Sequence, residues 1–143
     1  MKKLLVLTLI PISLVLANEK IPQEQEKDMT FKQVMQLVNS AAIKILQGFL
    51  FNNDEMIKQG ATEINAHPLP KGGVLRYIIP EKKEEFAKMM PSFEKAVHGS
   101  AEDIIKYIEA GDKTKAYESY TFMIQGCMKC HSLFRDYLEG KKD

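Results

Sequence analysis

Cysteine and histidine are scarce in this chain of 143 residues, which has two of the first and three of the second. Both cysteines stand in one segment, Cys127-Met128-Lys129-Cys130-His131, which excludes a scattered disulfide scaffold and leaves a pair that acts together. Strong net charge is missing as well, at +1 formally for the whole chain. No stretch alternates at the period of two that a half-buried strand needs, and no internal repeat suggests a solenoid. The apolar run over residues 4 to 16 is interrupted by Pro11 and falls short of the roughly 20 residues of a membrane span. A carboxylate pair, a nucleophile with its base and a phosphate-binding glycine loop are all lacking, so the expectation is a protein that is not an enzyme.

What the start of the chain does offer is the grammar of a secretory signal: Met1-Lys2-Lys3, an apolar middle, then the modest residues Val15-Leu16-Ala17 for a peptidase. The competing reading, an uncleaved anchor, is disfavoured by length and by Pro11. No Cys follows Ala17, so lipoprotein processing is not expected, and the expected location is the periplasm. Cleavage would remove Lys2 and Lys3, leaving 18 basic against 19 acidic residues, a net charge of −1, which argues against nucleic acid as a partner. The length fits one domain. We divide the chain into a signal peptide at 1–17, a polar, flexible segment at 18–27 and a single domain at 28–143.

Within that domain the apolar residues recur at helical spacing. A first helix over residues 28 to 51 carries Phe31, Met35, Val38, Ala42, Ile45 and Phe49 on one stripe. Asn52-Asn53-Asp54 breaks it and caps a second, with Ile57, Gly60, Ile64 and His67 on one face, ending before Pro68. Residues 68 to 80, with three prolines and two glycines, form a long connection suited to covering something apolar. The third helix carries Phe86, Met90, Phe93, Val97, Ala101, Ile104 and Ile108 up to Gly111, with a kink or break expected at Pro91. The fourth starts after Asp112 and repeats Tyr117, Tyr120, Ile124, Cys127, His131, Phe134 and Leu138, which directs the cysteine motif into the core. The expected fold class is all-α, an antiparallel up-down-up-down four-helix bundle.

Cys-x-x-Cys-His gives each residue a separate task at a c-type haem: two thiols form thioethers to the vinyl groups and the adjacent imidazole binds iron. Its rivals are a thioredoxin-like redox pair, which wants a βαβ context, and half of a zinc site, which wants two further ligands. Covalent haem c, with its iron, is therefore the expected cofactor, one per chain, at Cys127, Cys130 and His131.

A CxxCH near the end of the last helix of a four-helix bundle resembles cytochrome c′ and its relatives, the class II c-type cytochromes. Phe134-Arg135 after the haem His and Gly111 ahead of the last helix add to the likeness, which covers the mature chain in layout but specific residues only in the last helix and, more weakly, the first. The resemblance implies that Arg135 sits beside the proximal imidazole; its other reading is a surface or propionate ion pair. The family usually has Arg-Gln early in the first helix where this chain has Lys32-Gln33 in a shifted register, so Lys32, Arg76 and Lys71 are the candidates to bind propionates instead.

The sixth iron position separates electron transfer from gas binding. If the helices pair about turns near 51–53 and Gly111, then Met35, His67, Met90, Phe93 and His131 fall at one end of the bundle. Aligning Thr30 to Ile45 on the family's first helix places Met35 at the distal position, which implies the six-coordinate, low-spin carriers. His67 is the alternative distal ligand, or a propionate partner; His98 lies roughly 10 Å up the third helix from Pro91 by helical rise, too far for the iron. Phe31, Met90, Phe93 and Phe134 are expected to bury the haem.

The function expected is an electron-transfer carrier with His131 and Met35 as axial ligands, serving redox partner proteins. Two alternatives stay open: a five-coordinate protein binding nitric oxide or carbon monoxide, and a haem-free helical module in which CxxC forms a local disulfide. An apolar face with Leu37, Ile43, Leu46 and Leu50 permits a homodimer through the first two helices.

Overall fold

The first helix begins where Thr30 closes a capping box. Its side-chain oxygen accepts from the Gln33 N–H at 3.3 Å, and the Gln33 side chain accepts from the Thr30 N–H at 2.8 Å, which satisfies two donors that a helix start otherwise leaves orphaned. The computed structural model describes residues 28–138. The expected signal at 1–17, the segment at 18–27 and the last residues of the domain, 139–143, lie outside the described residues.

Four helices form a helical bundle: α1 (Phe31–Leu50), α2 (Asp54–Ala66), α3 (residues 80–109) and α4 (Lys113–Phe134). Among the described residues there is no strand, only an isolated antiparallel bridge between Ile78 and Leu138. No described helix is long and apolar enough to cross a membrane.

α1 and α2 meet closely because each lacks a side chain where the other carries isoleucine. A Cβ at Gly60 would stand 2.7 Å from Cγ1 of Ile45, and one at Gly48 would stand 2.6 Å from Cγ1 of Ile57. The turn between them puts Asn52 at φ 53. It is tied to the start of α4 by Lys113, whose ammonium reaches Asn52 and, at 2.8 Å, Asp54. α2 stops at His67, whose backbone is extended ahead of Pro68.

α3 is α-helical over Pro80–Glu94 and Ser100–Glu109, joined by a π-helical turn, Lys95–Gly99. The irregularity expected at Pro91 is thus displaced by one turn. The α-helix runs through Pro91, which has no N–H to donate, and the widening follows in the next turn, at Lys95–Gly99. The connection before α3 makes a short 3₁₀ turn at Val74–Tyr77. Its Lys71 N–H donates to the Met29 carbonyl at 2.8 Å and its Ile79 N–H to the Tyr137 carbonyl at 3.0 Å. This loop therefore holds the start of α1 and the end of α4 together.

The buried side chains fall into two clusters. The larger joins Ala41, Ile45, Ile57, Ile64, Ile104, Tyr120 and Met123 from all four helices. The smaller joins Ile78, Phe86, Phe93 and Phe134, with Phe86 and Phe93 both edge-on to Phe134 at 5.0 and 6.0 Å between ring centres.

Candidate functional site

Between these clusters the apolar stripes run on into a cleft instead of meeting one another. Its volume is about 360 Å³, within the size range of small-molecule and cofactor sites. α1 contributes Phe31, Met35, Val38 and Ala42; α3 contributes Phe86, Met90, Phe93 and Val97; α4 contributes Ile124, Cys127, Cys130 and His131. His67 at the end of α2 and Leu69, Pro70 and Val74 of the connection complete the wall. Side chains spaced for burial thus surround a space that no protein group fills.

Six of the residues singled out as cofactor contacts, Phe31, Met35, Met90, Phe93, Cys127 and Cys130, line this one cleft, and so do His131 and His67. Two do not. Phe134 is 2% exposed and packs behind the wall on Phe86 and Phe93, where it supports the lining without reaching it. Arg135 is exposed at the start of a 3₁₀ turn, Arg135–Tyr137, and its Nε lies 3.3 Å from Oδ1 of Asp136; its N–H donates to the His131 carbonyl one turn back, but its side chain is not part of the cleft wall.

The register of α4 also differs from the expectation. The face turned into the core carries Ala116, Tyr120, Met123 and Gly126. Cys127 and Cys130 are half-buried and His131 is exposed at the mouth of the cleft. The motif therefore flanks the packed interior rather than pointing into it. His98 departs in the opposite sense: it lines the cleft, because the cleft runs along α3 from Phe86 to His98 and distance from Pro91 alone does not measure reach.

The rings of His67 and His98 meet at a tilt of 39°, their centres 5.1 Å apart. Nδ1 of His67 lies 3.0 Å from the Pro68 carbonyl. A carbonyl only accepts, so Nδ1 donates, and in the neutral tautomer this leaves the lone pair on Nε2, the arrangement of a metal-ligating imidazole. His98 is held by Asn65 Oδ1 at 3.2 Å on Nδ1 and by Glu94 Oε2 at 3.4 Å on Nε2. The residue reading missed this cluster, although Glu94 and His98 stand at the i,i+4 spacing that signals a pair. Of the propionate candidates, Lys71 is engaged with Asp28 at 2.6 Å.

The two thiols are free. Burial pushes Cys127 up from its ordinary value, and burial together with the nearby Cys127 pushes Cys130 up to about 11. Both are protonated at neutral pH, the reverse of the lowered thiol of a disulfide oxidoreductase. Among the described residues no group of three or more His, Cys, Asp or Glu could hold a metal ion. A haem asks less of the chain, because the porphyrin supplies four donors and the protein one or two. Apolar walls from three helices, two thiols a helical turn apart and imidazole and thioether donors on different helices fit that group.

Comparison with protein-family models, with curated proteins and with solved structures gives no match for this chain.

Proposed function

We propose that this chain is an exported, single-haem c-type cytochrome of the class II kind, an electron carrier and not an enzyme, working in the periplasm with redox partner proteins. The observation that carries the reading is the lining of the cleft: Cys127, Cys130 and His131 stand along one wall of an apolar space that Met35 enters from another helix. The up-down-up-down order of the four helices belongs to the same reading.

A c-type haem supplies a one-electron iron couple when bound. Cys127 and Cys130 would hold it as thioethers and His131 would be its proximal ligand. Met35, on α1, would fill the sixth position, and Phe31, Met90 and Phe93 would keep water from the ring and favour the reduced state. His67 is a second candidate for the sixth position, favoured by its pinned Nδ1 and free Nε2. Ile43, Leu46 and Leu50 leave an apolar strip exposed on α1, in keeping with a homodimer.

The test is the optical spectrum of ferric and ferrous protein after expression with haem-attachment machinery, with and without carbon monoxide. Sharp low-spin ferrous bands unchanged by carbon monoxide support a carrier with a filled sixth position. A high-spin spectrum transformed by carbon monoxide would overturn Met35 ligation and favour gas binding.

A further inference from the structure

Sulfur is concentrated at one place in this molecule. Cys127, Cys130, Met35, Met90 and Met128 all line the cleft. Cys127 and Cys130 are three residues apart on α4, hence on adjacent positions of one helical face. Met90 and Cys130 also pack against the same aromatic cluster of Phe86, Phe93 and Phe134, so a thioether of α3 and the thiols of α4 border one cleft. The cleft is reached from solvent past Met128, which is 63% exposed.

This donor set has a definite preference. Among the described residues the two thiols do not group with a further His, Cys, Asp or Glu in a set that could hold a metal, as a tetrahedral zinc site requires. Thiolate and thioether are soft donors, and soft donors in low number select monovalent copper. We propose that the haem-free chain binds one Cu(I) at Cys127 and Cys130, with the Met90 thioether as third donor. Binding forms two copper–thiolate bonds and one copper–thioether bond and releases the two thiol protons to solvent; copper remains Cu(I) and no electron moves. The site uses residues of the haem reading but does not depend on it, since it belongs to the chain before or without haem.

The full chain, expressed without haem attachment, reduced and kept free of oxygen, is titrated with Cu(I) against a chromogenic Cu(I) chelator. One Cu(I) per chain is expected, with near-ultraviolet sulfur-to-copper absorption that C127S/C130S abolishes. Met90→Leu, which keeps the side-chain volume and hence the fold, should weaken binding by roughly tenfold, while Met56→Leu, away from the cleft, should leave it unchanged. Circular dichroism reports whether each variant keeps its helices. Retention of binding by C127S/C130S, or binding by Met90→Leu as tight as by the parent chain, overturns the proposal. Neither result bears on the haem reading, which is decided on the haem-loaded chain.

Discussion

Gly126 of α4 faces Ala96 of the π turn so closely that a Cβ at 126 would stand 2.7 Å from the Cβ of Ala96. The contact precedes Cys127 by one residue and sets how near the motif lies to α3. Gly126→Ala forces the two helices apart, and overpacking of this kind costs about 1–3 kcal/mol. Urea unfolding should show a lower midpoint at unchanged slope.

Phe134 is the keystone of the smaller cluster, edge-on to two rings. Phe134→Ala is expected to cost about 3–5 kcal/mol, and near-ultraviolet circular dichroism should lose its aromatic signal. Arg135→Ala, by contrast, removes an exposed side chain and should move stability by no more than about 0.5 kcal/mol.

The thiols give the haem-free chain a pH dependence. Both are raised in the folded state, Cys130 to about 11 against an ordinary 9.0. An unfolded chain therefore loses its thiol protons first as pH rises past 9, and the folded state is destabilised from there until Cys130 itself ionises near 11. Thermal melting followed between pH 7 and pH 11 should fall over that window, and C127S/C130S should flatten the fall. Alkylation at neutral pH should be slower than for an exposed thiol.

Met35 and His67 separate by substitution in the haem-loaded chain. Met35→Leu should open the ferrous protein to carbon monoxide if the thioether is the sixth ligand. If His67 is the sixth ligand through Nε2, Met35→Leu stays closed and His67→Ala opens instead. The carbon monoxide difference spectrum reads both.

The four helices were legible because their signals are local: the Asn52-Asn53-Asp54 break, the stop before Pro68, Asp112 ahead of α4 and unbroken apolar stripes. The face of α4 was misread for a physical reason. A stripe traced through large residues runs along Tyr117, Cys127 and His131, yet helices approach most closely over small ones, and Ala116 and Gly126 occupy the buried side. Cys127 and His131 border the cleft instead, so the same pattern that misplaced the core traced part of the cleft wall. The contact of His67 with His98 depends on the packing of α2 against α3 and has no trace in local spacing.

The most direct measurement is the intact mass and absorption of the purified chain from cells that attach haem, beside C127S/C130S. The expected result is a coloured chain heavier by one haem, with both properties lost in the variant. A colourless chain at the mass of its polypeptide alone would contradict the haem reading.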